Sequence, residues 1–413
     1  MNLKILIFAL AAISFCRCYY PTNAKIDYTK LPVLTNMTFP EMMKYLNYPM
    51  ETHYITTEDG YILTFFRIQA KNSTIQSNLP AVYFQHGLGD SSDTICLNNE
   101  EIAPGLMIAN AGYDLWLGNS RGNRYSMNHT IYSSNDTQFW QFTYQHIAHY
   151  DLPAAFEYIK KVTQQKIHYI GHSQGTIVMF MALARKDSKV INNLKSYIAL
   201  GAVGKLCNIK SKLFSNLASL PVIDAIIASG AQQFFPYKNK QFTSILCTIS
   251  PQLCGLTLEA LMDLDDSYDN IDRMNILVGH CPAGTSTLNA RHWQIYLLLF
   301  CMKIIKLMAK KEFRYFDYGK LGNLKNYGSV LPPQIQLQDI DFPIHIFAGL
   351  TDELAPFDDV QILKNSLTGS PNVTLNIYPF GHASFLFAKN MSYVNDVFAI
   401  FKHYDQNQIQ LEY

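Results

Sequence analysis

Short strand-like runs alternate with helix-like runs over the first half of the chain. Apolar residues recur at helical spacing over 151–162 and 174–185, and compact apolar runs bounded by turn residues lie between and before them. These strand-like runs are 53–57, 61–67, 81–85, 113–117, 167–170 and 196–200. Because strand and helix alternate, the pattern predicts an α/β fold with a mostly parallel central sheet covered on both faces by helices.

The alternation stops near residue 203 and resumes near residue 341. We therefore expect an α/β core in two parts, residues 19–202 and 341–413, with residues 203–340 inserted between them as a mainly helical cap or lid. The segments behind this expectation are the helix-like 213–231 and 292–309, the strand-like 343–348 and 373–378, and the helix-like 392–403.

The first 18 residues have the pattern of a secretory signal peptide. A basic start ending at Lys4 precedes an apolar run over 5–15, and Cys16 and Cys18 are small residues at the positions preceding a cleavage site. An uncleaved anchor is the alternative, but the apolar run is too short to span a bilayer. No later stretch has ~20 uninterrupted apolar residues, so we expect no transmembrane segment.

The N-glycosylation sequons and the cysteines favour a secretory protein, located outside the cell or in a lysosomal or vacuolar lumen. Among the remaining cysteines, Cys247 and Cys254 are the best candidates for a disulfide, although sequence alone leaves the connectivity open. The candidate N-glycosylation sites are Asn36, Asn72, Asn128, Asn135, Asn372 and Asn390.

Composition and motifs exclude several classes of function. The net charge is +1, from 33 Lys and Arg against 32 Asp and Glu, so the chain has no basic field for nucleic acid. The sequence contains no P-loop, no G-x-G-x-x-G fingerprint and no cysteine spacing typical of a zinc site. We therefore expect neither a cofactor nor a metal.

Residues 171–175 form the sequence motif that indicates catalytic chemistry. Gly171, His172, Ser173, Gln174 and Gly175 form a G-x-S-x-G between an apolar strand and a helix rich in small and apolar residues. That context predicts a nucleophile elbow, in which a tight, strained turn lifts the serine hydroxyl to the helix N-terminus. Glycines two positions before and after the serine avoid a steric clash in such a turn.

A nucleophilic serine needs a base and an acid, which in this fold follow it along the chain in the order acid, then histidine. His382 follows the strand-like run 373–378 and is the candidate base. Asp352 follows the run 343–348 and is the candidate acid, which holds the imidazole in the correct tautomer. The neighbouring carboxylates remain as alternatives for the acid: Glu353, Asp358 and Asp359.

The oxyanion of an acyl-transfer reaction needs two backbone N–H donors. One belongs to the residue after the nucleophile, Gln174. The other comes from the loop after the third strand, where residues 86–89 read His-Gly-Leu-Gly, and we assign it to Leu88. These assignments complete a predicted serine hydrolase site.

Several segments together resemble the acid lipase family, which includes lysosomal acid lipase and gastric lipase. The resemblance covers about residues 46–400. It implies an α/β-hydrolase core with a helical cap, acting on triacylglycerols or sterol esters, and carries Ser173, Asp352 and His382 over as the triad. The segments are 57–63 (TEDGYIL), 115–123 (LWLGNSRGN), 139–142 (FWQF), 150–154 (YDLPA), 171–176 (GHSQGT) and 282–286 (PAGTS) followed by Asn289, His292 and Trp293.

Two other functions remain compatible with the sequence. The first is a serine hydrolase of short-chain esters or of another substrate, because one fold serves many chemistries. The second is a non-catalytic lipid-binding protein, against which the intact serine, acid and histidine set argues. The resemblance implies a lipid ester as substrate and a lipid droplet or emulsion interface as the surface on which the protein works.

Overall fold

The computed structural model describes residues 32–76, 78–204, 206, 208–211, 222–237, 263, 267–301 and 313–411. The predicted signal peptide and the candidate disulfide between Cys247 and Cys254 lie outside these residues, as do parts of the helix-like segments 213–231 and 292–309. Cys96, which is described and buried, is free. No helix of the described ranges is both long enough and apolar enough to cross a membrane.

Eleven strands and thirteen α-helices are described. The strands are β1 (Met50–Thr56), β2 (Tyr61–Ile68), β3 (Ala81–Gln85), β4 (Asp114–Leu117), β5 (Asn128–His129), β6 (Ile167–His172), β7 (Leu194–Leu200), β8 (Gln233–Phe234), β9 (Thr285–Ser286), β10 (Ile344–Gly349) and β11 (Val373–Tyr378). The helices are α1 (Phe39–Leu46), α2 (Pro104–Asn110), α3 (Tyr144–His146), α4 (Leu152–Thr163), α5 (Gln174–Ala184), α6 (Ser188–Ile191), α7 (Val222–Ala228), α8 (Met274–His280), α9 (Thr287–Cys301), α10 (Gly319–Tyr327), α11 (Phe357–Ser366), α12 (Ser384–Phe387) and α13 (Tyr393–Leu411).

Nine strands form one sheet in the order β1-β2-β4-β3-β6-β7-β10-β11, with β5 paired to β2. The neighbours from β4 to β11 run parallel, and β1, β2 and β5 make the antiparallel edge. The prediction of a mostly parallel sheet is therefore confirmed. In the register of β3 and β6, Gln85 lies opposite Gly171, which brings the loop after β3 beside the turn after β6.

Both faces of the sheet are covered by apolar side chains. Along β3, Ala81 and Tyr83 belong to one buried cluster while Val82 and Phe84 belong to the other, as period-two alternation requires. The helix α5 is buried along nearly its whole length behind the sheet. Such two-sided burial is why the parallel strands read as continuous apolar runs rather than as alternating ones.

The sequence pattern missed elements whose signals are short-range and polar. The helix α1 begins with a capping box, in which the backbone N–H and the hydroxyl of Thr38 both donate to Glu41, each at 2.7 Å. The strands β5, β8 and β9 have two residues each, too few for a periodic signal. Within 203–340 the described residues contain the helices α7 to α10 and the pair β8–β9.

All six sequon asparagines are exposed. Asn128 lies in the edge strand β5, and Asn372 immediately precedes β11. An exposed amide is a requirement for glycosylation, and none of the sequons is excluded by burial.

A buried arginine ties the turn between β1 and β2 to the start of α4. The Arg121 side chain donates from Nε to Asp151 Oδ1 at 2.7 Å and from Nη2 to Asp59 Oδ1 at 2.8 Å, and it stacks 3.9 Å from the centroid of the Tyr61 ring. Burial raises the pKa of Asp151 to about 6, against the opposing effect of Arg121. The arginine therefore compensates a carboxylate that burial alone would keep protonated.

We predict that Arg121→Met lowers the free energy of unfolding at pH 7 by about 3–5 kcal/mol, because it leaves the buried carboxylate of Asp151 and the half-buried carboxylate of Asp59 without their cation. At pH 5, below the pKa of Asp151, the loss is smaller since Asp151 can take a proton. Denaturant titrations at both pH values measure the effect. Arg185→Met, which breaks a surface pair with Asp187, is the control and changes the free energy by about 1 kcal/mol or less. An equal loss at pH 5 and pH 7 contradicts the prediction.

Candidate active site

Ser173 sits in a strained turn between β6 and α5. Its backbone angles are φ 52° and ψ −115°, a combination that non-glycine residues rarely adopt. Surrounding hydrogen bonds hold this conformation: Ser173 N donates to Leu200 O at 3.1 Å, and Thr176 donates to Ser173 O from both N and Oγ1. The turn thus has the geometry of the predicted elbow.

Close backbone packing leaves no room for a side chain two residues before or two residues after Ser173. A Cβ on Gly171 would lie 2.7 Å from the carbonyl carbon of Gly175, and one on Gly175 would overlap the carbonyl oxygen of Gln85 on β3. The two glycines therefore let α5 start directly against β3 and β6.

His382 and Asp352 meet at the carboxyl ends of β11 and β10. His382 Nδ1 lies 2.8 Å from Asp352 Oδ2, and both side chains are buried. The other carboxylate oxygen, Oδ1, accepts from Leu354 N at 2.9 Å and Ala355 N at 2.7 Å. With Nδ1 engaged, His382 Nε2 has no hydrogen-bond partner among the described residues.

The alternative acids lie elsewhere. Asp359 accepts from the backbone N and side-chain Nδ2 of Asn208, at 2.8 and 2.7 Å. Asp358 is exposed in the first turn of α11, and Glu353 is half-buried directly after Asp352. Of the candidates, Asp352 is the carboxylate that the structure brings to His382.

His172 of the predicted elbow, and Gly201, which the sequence did not single out, hold His382 beside the elbow. His172 Nε2 donates to the His382 carbonyl oxygen at 3.0 Å. Burial, reinforced by the charge of His382, lowers the pKa of His172 to about 3, so this imidazole is a neutral donor. On the other side, Gly201 at the end of β7 offers no Cβ, and one there would lie 3.1 Å from His382 Nδ1.

The loop after β3 is oriented by a buried histidine. Ser120 N donates to His86 Nε2 at 3.1 Å, so His86 carries its proton on Nδ1 and donates it to Gly87 O at 2.8 Å. Because the carbonyl and the following N–H of a peptide point in opposite directions, this bond aims Leu88 N–H away from His86. Gly87 itself abuts the elbow, since a Cβ on it would lie 3.1 Å from Ser173 Cβ.

The side chain of Gln174 is anchored by α9, a contact that sequence reasoning missed. Gln174 Oε1 accepts from Asn289 Nδ2 at 2.9 Å and from Trp293 Nε1 at 2.8 Å. Asn289 Oδ1 in turn accepts from Tyr144 N at 2.7 Å. The spacing of Asn289 and Trp293, four residues apart, was the available signal, because such residues share one face of a helix.

The described residues hold no group of three or more His, Cys, Asp or Glu side chains placed to bind a metal ion. What the arrangement offers instead is a strained serine, a buried histidine oriented by a carboxylate, and backbone N–H groups at a helix N-terminus. The fold and this elbow together define an α/β-hydrolase.

Comparison with known proteins gives the same class and a narrower family. The family described as "alpha/beta hydrolase fold" matches residues 80–389, and "Partial alpha/beta-hydrolase lipase region" matches residues 39–99. The chain is 34% identical to gastric triacylglycerol lipase of Bos taurus, over 81% of this chain and 83% of that protein.

Two further relatives span similar lengths. Identity is 34% to lysosomal acid lipase/cholesteryl ester hydrolase of Homo sapiens, over 81% of this chain and 82% of that protein. It is 33% to lipase lipl-1 of Caenorhabditis elegans, over 85% of this chain and 87% of that protein. The chain belongs to the acid lipase family of α/β-hydrolases, as the sequence motifs predicted.

We predict that Asn289→Ala lowers the free energy of unfolding by about 1–3 kcal/mol, because buried polar groups on Tyr144 and Gln174 lose their partner. Chemical denaturation followed by tryptophan fluorescence measures this change. Asn326→Ala is the matched control, since Asn326 is exposed and bonds only within its own helix at Gly322, so its effect stays within about 0.5 kcal/mol. Equal effects from both variants contradict the anchoring role of Asn289.

Proposed function

We propose that the protein is a lipase that hydrolyses carboxylic ester bonds of neutral lipids, triacylglycerols or sterol esters, through an acyl-enzyme on Ser173. The observation that carries the proposal is the contact between His382 Nδ1 and Asp352 beside a strained Ser173. Support for the lipid substrate comes from relatives named triacylglycerol lipase and cholesteryl ester hydrolase.

The first half of the reaction forms the acyl-enzyme. Ser173 Oγ attacks the ester carbonyl while His382 Nε2 takes the hydroxyl proton, and Asp352 stabilises the imidazolium that forms. The N–H groups of Leu88 and Gln174 stabilise the negative charge on the carbonyl oxygen. His382 then gives its proton to the leaving alcohol, and the fatty acyl group stays on Ser173.

Hydrolysis of the acyl-enzyme repeats these steps with water. His382 Nε2 accepts a proton from water, whose oxygen attacks the acyl carbon, and the same two N–H groups stabilise the second oxyanion. Protonation of Ser173 Oγ by His382 releases the fatty acid. Every group in the cycle belongs to this chain, so the proposal needs neither a cofactor nor a metal.

The insertion 203–340 is proposed as the cap that covers this site and meets the lipid. Supporting this role, β8 pairs with β9, and the backbone N–H of Ala283, two residues before β9, donates to the carbonyl oxygen of Gly89 in the loop after β3. Phe235, which follows β8 and is exposed, comes within 3.3 Å of the position that a Cβ on Gly89 would take. An exposed aromatic ring beside the proposed oxyanion hole suits an acyl chain arriving from a droplet or emulsion surface.

We also propose that the protein follows the secretory route, with residues 1–18 as signal peptide and a lysosomal or extracellular destination. The names of the gastric and lysosomal relatives support this. The exposure of the sequon asparagines supports it too, because each can accept a glycan without unfolding the chain.

We predict that Ser173→Ala reduces kcat for ester hydrolysis by about 10⁶-fold, because the nucleophile is lost while the fold remains. Release of oleic acid from triolein and cholesteryl oleate emulsions between pH 4 and 8 measures the rate and identifies the preferred ester. Ser188→Ala, at an exposed serine that begins α6, is the control and keeps the wild-type rate. Retention of the rate by Ser173→Ala excludes Ser173 as the nucleophile.

We predict that kcat/KM is higher for emulsified long-chain esters than for soluble short-chain esters, because acyl contacts in an apolar site add transition-state binding with chain length. A series of p-nitrophenyl esters from acetate to palmitate, with detergent held constant, measures the trend. A preference for acetate or butyrate supports the short-chain esterase, and binding of triolein without turnover supports the lipid-binding protein.

A further inference from the structure

An aspartate from the middle of the insertion reaches the back of the proposed catalytic histidine. Asp263 is 0% exposed, and its Oδ1 accepts a hydrogen bond from the backbone N–H of His382. The backbone of Asp263 also forms an antiparallel bridge with that of Asp352. Asp263 therefore touches both the histidine and the acid through their main chains, from a site 119 residues before His382.

The chain around His382 is shaped to admit this carboxyl group. A Cβ on Gly381 would overlap the Asp263 carboxyl group, so any other residue at 381 would push the aspartate away. Gly381 N donates instead to Ser384 Oγ at 2.9 Å, and Ser384 Oγ donates to Asp269 Oδ1 at 2.7 Å. Asp263, Asp269 and the turn before α12 thus form one buried polar cluster behind His382.

No cation neutralises Asp263 among the described groups that act on it. These are Asp269 from its own segment, Asp352 after β10 and the backbone of His382 after β11, with neutral His172 behind His382. Burial, followed by the charges of Asp269 and Asp352, raises the pKa of Asp263 well above its usual range. The group therefore retains its proton where an exposed aspartate would lose it.

The hydrogen bonds of Asp263 leave one of its carboxyl oxygens available to carry that proton. Asp263 Oδ1 is an acceptor, and no donor among the described residues reaches Oδ2. The side chain of Asp269 lies within hydrogen-bonding reach of Asp263, and two carboxyl groups can bond to each other only when one is protonated. A proton shared with Asp269 on Oδ2, the side of Asp263 remote from His382, fits this pattern.

We propose that Asp263 is a positioning residue for His382 and Asp352. Ester hydrolysis requires that the proton shared by Asp263 and Asp269 be retained. Its loss sets the alkaline limit of activity, which is the pH above which kcat falls. This inference rests on the proposed function. While the pair is protonated, Asp263 fixes the His382 backbone, and Asp352 is the single carboxylate facing the imidazole. Once the proton is lost, a second buried carboxylate adjoins Asp352, and their repulsion displaces His382.

The variants Asp263→Asn and Asp269→Asn separate this role from a merely structural one because they act in opposite directions. Asparagine at 263 keeps an acceptor for His382 N–H but cannot ionise, so the alkaline limit of kcat should move up by at least about one pH unit. Asparagine at 269 removes a charge that favours the protonated form of Asp263, so the limit should move down by about one pH unit. A structural hydrogen bond alone would move neither limit.

The experiment measures kcat and KM for p-nitrophenyl butyrate from pH 4 to 10, with the product read at its isosbestic wavelength. For Asp263→Asn we expect the ratio of kcat at pH 9 to kcat at pH 6 to rise about tenfold, as one pH unit implies, with KM little changed because Asp263 does not touch the substrate. Asp272→Asn, at an exposed aspartate nine residues further on, keeps the wild-type profile and is the control.

The outcomes are distinguishable. If the wild type hydrolyses no ester at any pH, the proposed function fails, and this inference with it. If the wild type is active but its alkaline limit coincides with that of Asp263→Asn, the inference alone is overturned. Should Asp263→Asn show no cooperative thermal transition, Asp269→Asn decides: a limit moved down supports the shared proton, and an unmoved or raised limit overturns it.

Discussion

The left-handed backbone of Ser173 is the constraint on which the rest of the site depends. That conformation requires glycines at 171 and 175, and their absent side chains let α5 begin against the ends of β3 and β6. Once these strands are neighbours, the loop after β3 necessarily lies beside the serine. A strained residue persists only where its surroundings over-determine it, and here the bonds of Ser173 to Leu200 and Thr176 do so.

Buried histidines orient the loop after β3 and the chain around His382, and each of them does so in one defined tautomer. His86 directs the peptide of Gly87 and Leu88, and His172 grips the carbonyl of His382, while His382 is itself directed by Asp352. A neutral imidazole suits this task because it has one donor and one acceptor on opposite sides of a rigid ring. Burial lowers the pKa of both His86 and His172, which keeps these two in the neutral form.

The sequence was informative where function follows from position along a strand. Ser173, Asp352 and His382 each follow a strand of the parallel part of the sheet, and the carboxyl ends of parallel strands meet at one edge, so chain order and strand pattern were enough to select them as candidates. The mostly parallel sheet was predictable for the same reason. The antiparallel edge strand β5 and the helix α1 were not predictable from the sequence pattern. The strand is too short to show periodicity, and the signal for the helix is a local capping box.

Contacts between distant segments were beyond the reach of any local pattern. Asn289 meets Gln174 across 115 residues, and Asp263 meets His382 across 119, so neither pair leaves a periodic signal. Only the described three-dimensional contacts reveal them. The motif around Asn289 and Trp293 contributes to the family resemblance, but its physical reason, the anchoring of the Gln174 side chain, is visible only in the three-dimensional structure.

The anchoring of Gln174 by α9 also bears on how such a hydrolase could be rebuilt. The proposed insertion, residues 203–340, is continuous in sequence, which invites its exchange as a unit for the insertion of another hydrolase. Yet Asn289 and Trp293 bind the side chain of Gln174, the residue after Ser173, and Asp263 binds the backbone of His382. A chimaera in which residues 203–340 are replaced as a whole would lose these contacts to Gln174 and His382, so the segment to exchange has to be chosen from the contacts and not from the sequence pattern alone.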